Sequence, residues 1–165
     1  MAQKFPLVPS CLRSRPLDCC VRQGWFLRGN HHLGGSRYAT HLRSWLGAGW
    51  DLDDFHVVRF EDLLEPGGLE RVYVGVLGFL GLPTAPARNL TAAESRPANR
   101  RSVAPYNVSA DAYRALVAAV EDDVVDLETL LGRDFGWRAT WAAQLAQCDR
   151  DGGSCRLSLL PGAVR

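Results

Sequence analysis

Apolar residues along this chain keep a helical period over three stretches and lose it between them. Tyr38, Leu42, Trp45, Leu46 and Gly49 recur on one face behind Ser36, a residue suited to an N-cap. The spacing predicts an amphipathic helix over residues 36–49. The next apolar run, Phe55-His56-Val57-Val58-Arg59-Phe60, is short and β-branched at its centre, the pattern of a strand buried in a parallel sheet. A second helix is predicted over residues 69–80, with Val72, Tyr73, Val76, Leu77 and Leu80 aligned and with Gly81 and Pro83 ending it. Ser109 then caps a long helix that carries Asp111 in its first turn. Tyr113, Leu116, Val117, Val120, Val124, Leu127 and Leu131 hold the period as far as Gly132. Asp134-Phe135-Gly136-Trp137 reads as an aromatic clasp of packing residues, and residues 138–147 as one more short helix.

The remaining segments have no period. Residues 1–35 are rich in Pro, Cys, Arg and Gly, and residues 84–108 form a polar linker with three prolines. The Gly- and Ser-rich stretch after Cys148 reads as a frayed tail. The expected organisation is therefore an irregular segment 1–35, a folded body 36–147 and a flexible tail 148–165. A single buried strand needs partners on both edges. Residues 1–35 lack strand patterning, which leads to the expectation that the chain is part of a larger fold.

Composition narrows the functional classes. The 165 residues are 47% hydrophobic and 22% charged, ordinary for one folded domain. A formal net charge of +1 excludes a general nucleic-acid binder, so any anion site is local and made by a few arginines. No run reaches the roughly 18 apolar residues that span a bilayer. Met1 to Pro9 has no apolar core of signal-peptide length. The five cysteines are an odd number and do not make a complete disulfide framework. Cys19-Cys20 with His31-His32 lacks the spacing of a zinc site, so no metal is expected. Cys148 and Cys155 can close a small loop in an oxidising compartment. Two sequons, Asn89-Leu90-Thr91 and Asn107-Val108-Ser109, fit a lumenal protein.

Four segments in order carry a family resemblance. Tyr38-Ala39-Thr40-His41-Leu42-Arg43-Ser44-Trp45-Leu46 resembles a Tyr-Ala-x-His-Leu-x-x-Trp-Leu helix. Phe55 to Leu64 is similar to a strand and turn ending in Glu-Asp-Leu, and Val76 to Pro83 to a Phe-Leu-Gly-Leu-Pro helix end. Asn99-Arg100-Arg101-Ser102, the capped helix and Leu130 to Trp137 resemble a closing section. Together, over residues 36–141, they resemble the carboxyl-terminal half of PAPS-dependent carbohydrate sulfotransferases, where PAPS is 3′-phosphoadenosine 5′-phosphosulfate.

The resemblance implies an α/β fold, a partial P-loop-like sulfotransferase fold that is mainly helical here with one or few parallel strands. It implies transfer of a sulfuryl group from PAPS, without metal, to a hydroxyl or amine of a carbohydrate acceptor in the Golgi lumen. Asn99, Arg100, Arg101 and Ser102 correspond to a basic loop that folds over the nucleotide phosphates, for which paired guanidinium groups are suited. The resemblance also implies Tyr38 and His41 as acceptor-binding candidates, although the residue pattern alone reads Tyr38, Leu42 and Trp45 as core and His41 as structurally partnered. Adjacent Glu61 and Asp62 are read as capping the turn that follows them.

The chain also departs from the family. No Gly- and Ser/Thr-rich phosphate loop follows a strand, Lys4 is the only lysine, and no residue matches the catalytic base. The cysteine pair that flanks the nucleotide loop in many animal members is missing between Leu82 and Asn99. The expectation is an inactive portion that needs an amino-terminal half as partner. The rival readings are a non-catalytic interaction module that keeps the fold and a small phosphate binder using Arg100 and Arg101.

Overall fold

In the computed structural model, which describes residues 17–22, 34–84 and 106–157, most helical periods become helices near their expected bounds. They belong to two compact units. The first comprises Met1–Trp50 with Pro105–Leu157, and the second Asp51–Ala104 with Ser158–Arg165.

The first unit contains α1 (Leu17–Arg22), α2 (Tyr38–Gly47), β1 (Tyr106–Ser109), α4 (Ala110–Ala118), α5 (Glu121–Leu131), α6 (Trp137–Arg150) and β2 (Ser154–Leu157). The second contains α3 (Gly68–Phe79), preceded by 3-10 turns at Leu52–Asp54 and Phe60–Leu63. No described helix is long and apolar enough to cross a membrane.

Alternation places the small sheet. β1 and β2 pair antiparallel, with Val108 opposite Cys155 and Asn107 opposite Arg156. Val108 and Cys155 are buried and Asn107 and Arg156 exposed, as the two-residue period of a strand requires. Behind the inner face, Val108, Ala110, Ala112, Cys148 and Cys155 make one core cluster, flanked by Tyr113, Leu116 and Leu157. Burial pushes the Tyr113 phenol above its ordinary value. A disulfide joins Cys148 to Cys155, and Cys20, fully buried, is disulfide-bonded too. Gly152 and Gly153 reverse the chain between α6 and β2 with consecutive φ values of 71° and 83°. Other residues rarely adopt that pair of conformations. The stretch from Cys148 to Leu157 is thus a cross-linked turn and strand where the composition predicted fraying.

Ser109 does cap a helix. Its side chain accepts a hydrogen bond from the Ala112 amide at 3.2 Å. The helix is not the single long one expected, because it breaks at Ala119 and Val120. Val120 leaves helical geometry, with φ −124° and ψ −12°. Glu121, Asp122 and Asp123 then open α5, where three carboxylates favour a new helix start. The break lets α4 pack on α6 while α5 packs on α2.

The α2–α5 contact has an electrostatic centre. Arg37, the N-cap of α2, offers no side-chain cap. Instead the Asp123 carboxylate accepts from the Ala39 amide at 2.9 Å, the Thr40 amide at 3.0 Å and the Thr40 hydroxyl at 2.7 Å. Arg43 pairs with Asp126 one turn along, which raises the Arg43 pKa further. Ala39 and Leu42 on α2 are buried, as are Val124 and Leu127 on α5. Tyr38 and Trp45, expected in the core, are 52% and 53% exposed. The face that meets α5 carries Ala39 and Leu42, and Trp45 rests edge-on against Trp50 with centroids 5.8 Å apart.

In the second unit, the strand expected over 55–60 does not form. Phe55 and Arg59 have extended backbone, but the chain turns into the 3-10 helix at Phe60. The β-branched pair Val57-Val58 favours extension, and a ladder additionally requires neighbours. The sheet formed by the described residues is antiparallel and lies in the first unit. Asp62 accepts from Arg59 Nε at 2.8 Å and so ties its turn to the preceding segment. The Asp62 backbone carbonyl faces Gly68 so closely that a Cβ at Gly68 would collide with it.

Two outcomes test these contacts. Asp123→Ala should destabilise the first unit by about 1–2 kcal/mol in denaturant unfolding, and Asp123→Asn, which keeps an acceptor, by less. Gly68→Ala should speed amide exchange throughout α3 through overpacking worth about 1–3 kcal/mol. Gly78→Ala, with open space at its Cβ, should leave that exchange unchanged or slower.

Candidate functional site

Within the first unit, α2 and α6 begin close together. Tyr38 is the first residue of α2 and Trp137 the first of α6, and their ring centroids are 6.3 Å apart with planes tilted by 38°. Trp137 stacks on Phe135 at 4.7 Å and 14°. The Arg133 guanidinium carbon lies 5.0 Å from the centroid of the Phe135 ring. The result is a ladder from Tyr38 through Trp137 and Phe135 to Arg133. Phe135 is 2% exposed and forms its anchor, while Tyr38 stands out at 52%.

The loop under the ladder is held by carboxylates. Glu128, at the edge of burial, accepts from the Phe135 amide at 3.1 Å and from Arg138 Nε at 3.0 Å. Arg138 Nη2 adds a contact of 2.8 Å to the same oxygen. Asp134 accepts from the Gly136 amide at 2.7 Å. That bond, helped by the charge on Arg138, holds the Asp134 carboxyl below its usual range. A run of rings that leads from buried Phe135 on a fixed loop, through half-buried Trp137, to exposed Tyr38 on α2 is suited to stacking on the flat apolar side of a polar ligand.

Two other places are less suited to an anion. The first turn of α2 is a ready anion site by geometry, and Asp123 already occupies its Ala39 and Thr40 donors. A hollow of about 240 Å³ between α4, α5 and α6 is lined by Arg114, Glu121, Arg138, Trp141 and Leu145. Arg114 there reaches Asp111 at 3.1 Å and Asp149 at 2.7 Å. Arg138 is held by Glu128. The positive charge in this hollow is matched by partners of its own.

Of the residues singled out in the sequence, Tyr38 sits at the exposed end of the ladder. His41, one turn later, donates from Nε2 to the Gly34 carbonyl at 2.9 Å. Nothing brings its ring into contact with the ladder. Asn99, Arg100, Arg101 and Ser102 lie outside the described residues. Glu128, Asp123 and Asp18 were missed. Asp123 and Asp18 act over distance, Asp18 by accepting from the Ser109 amide at 2.7 Å across 91 residues. The one local signal was the acidic run Glu121-Asp122-Asp123, which marks a helix start.

No protein-family model, curated protein or solved structure matches this chain.

The lowered Asp134 pKa gives a pH prediction. Its contribution to stability is complete above the ordinary aspartate value of 3.8 and is lost as pH falls through the lower folded value. Asp134→Asn should remove that part of the acid limb and leave the stability profile near neutrality flat. Acid titration of unfolding for both proteins measures it.

Proposed function

We propose that this chain is the carboxyl-terminal part of a PAPS-dependent carbohydrate sulfotransferase that works in the Golgi lumen, and that it contributes nucleotide and acceptor subsites without a complete catalytic centre. The observation that carries this reading is the order of four motif segments: the Tyr38 helix, the Glu61-Asp62-Leu63 turn, the helix end at Gly81-Leu82-Pro83 and the Ser109-to-Trp137 section. The disulfide between Cys148 and Cys155 supports an oxidising compartment. Phe60, Leu80 and Leu82 in the second unit are 60%, 57% and 50% exposed, apolar side chains that suit burial against further chain. A parallel sheet and a P-loop-like phosphate cradle belong, on this reading, to the amino-terminal half as partner.

The chemistry is mainly positioning and charge neutralisation. The bond between sulfur and the bridging phosphate oxygen breaks as the acceptor oxygen or nitrogen bonds to sulfur. The acceptor's proton passes to a base, and 3′-phosphoadenosine 5′-phosphate leaves. Arg100 and Arg101, with Asn99 and Ser102, grip phosphate oxygens. Tyr38 and Trp137 offer a stacking surface for a sugar ring, with His41 a turn away on α2. Nucleic acid is not a ligand on this reading, given the near-zero net charge.

Isothermal titration of the full chain with 3′-phosphoadenosine 5′-phosphate tests the nucleotide subsite. Binding should be measurable and should fall at least tenfold, about 1.4 kcal/mol, in the Arg100→Ala/Arg101→Ala variant. A folded wild-type chain that binds no nucleotide would overturn the subsite and leave a non-catalytic module as the better reading.

A further inference from the structure

Strand β1 holds a chemical motif that sulfuryl transfer does not use. Asn107-Val108-Ser109 has the form of an N-glycosylation acceptor. Strand alternation turns Val108 inward, 3% exposed, and leaves Asn107 outside. Across the ladder Asn107 faces Arg156, which is also exposed. Beside the strand lies an open hollow of about 420 Å³ lined by Asp18, Asn107, Ser109, Gly152, Gly153 and Ser154. Its walls are a carboxylate, small polar side chains, Val108 and the backbone of a glycine turn. Cys20, Cys148 and Cys155 are in disulfides, as expected of a chain that matures in a compartment where such sugars are attached.

We propose that Asn107 carries an N-linked glycan, whose first sugar sits over this hollow and covers the outer face of the two-stranded sheet. The donor class is a lipid-linked oligosaccharyl pyrophosphate. The Asn107 amide nitrogen bonds to the anomeric carbon, the bond from that carbon to the pyrophosphate oxygen breaks, and the pyrophosphate leaves with the electron pair. The amide gives up one proton. Ser109 serves twice. Its hydroxyl completes the acceptor motif while the chain is extended, and after folding the same oxygen caps α4 through the Ala112 amide. The site requires passage through the lumen and stands whether or not the chain binds nucleotide.

The two roles of Ser109 separate by substitution. Ser109→Thr keeps motif and cap. Ser109→Asp keeps a capping oxygen and destroys the motif. Asn107→Gln destroys the motif and leaves the cap untouched. The full chain behind a cleavable leader is expressed through a secretory pathway, with leader cleavage reporting entry. The folded product is then treated with peptide N-glycosidase in heavy-oxygen water and mapped by mass.

Labelled aspartate at position 107 is expected in wild type and Ser109→Thr, and no label there in Asn107→Gln or Ser109→Asp. Enzymatically deglycosylated wild type and Ser109→Asp should unfold at similar temperatures. An unlabelled Asn107 peptide from translocated, folded wild type would overturn the proposal. So would a glycan confined to misfolded, retained chain. Attachment precedes folding, so the translocated but retained chain of a variant that folds poorly, mapped in the same way, still reports whether position 107 was modified.

Discussion

The first unit depends on one carboxylate in place of a local cap. Helix α2 begins at Tyr38, after Arg37, with no side chain of its own to satisfy its first amides. Asp123, from a helix more than 80 residues away in sequence, supplies two oxygens to Ala39 and Thr40. Unsatisfied amides at a helix start are costly when sequestered from water. The bond therefore fixes the position of α2 on α5, and Ala39 can then pack at zero exposure. A small residue there permits a close approach that a larger one would prevent. From this contact follow the placement of Tyr38 and its meeting with Trp137.

The rest of that unit compensates for a core of small side chains. Its buried cluster is mainly alanine, valine and cysteine, with little apolar area to remove from water at roughly 25 cal/mol per Å². Covalent closure makes up part of the difference. A disulfide across a short loop contributes about 2–3 kcal/mol by restricting the unfolded chain. It also ties β2 to the end of α6, which supports a pair of short strands that would be marginal alone. Bonds donated by the Ser109 amide to Asp18 and by the Phe135 amide to Glu128 add specificity where apolar packing is thin.

This division of labour shapes the functional reading. Guanidinium groups in the hollow between α4 and α6 are matched by carboxylates, and the α2 helix start is filled by Asp123. Those positions do structural work and leave little room for a phosphate. The exposed aromatic ladder is different, because Phe135 anchors it and Glu128 fixes its loop while Tyr38 remains open to solvent. The proposed nucleotide contacts rest on Arg100 and Arg101, whose paired donors suit phosphate oxygens. An acceptor surface and a nucleotide surface would then draw on separate stretches of the chain.

The sequence by itself determined where most of the helices lie, although α1 at Leu17–Arg22 formed in a segment that it reads as irregular. Periodicity placed α2, α3, α5 and the Ser109-capped α4, because a helix's hydrogen bonds are local and its buried stripe is written every three or four residues. It placed Phe135 inside and allowed for the cross-link between Cys148 and Cys155. Tertiary structure decided what depends on a partner. Val57-Val58 had strand composition, but a strand exists only with a neighbour to share its hydrogen bonds. The break at Ala119 and Val120 answers to packing on two different helices, so the unbroken apolar period concealed it. Tyr38 and Trp45 shared a stripe with Leu42, yet only the approach of α5 selected Ala39 and Leu42 for burial. Asp18 and Glu128 carried no motif and the acidic run at Asp123 marked only a helix start, since a carboxylate's value lies in the amides and guanidinium groups that the fold brings to it.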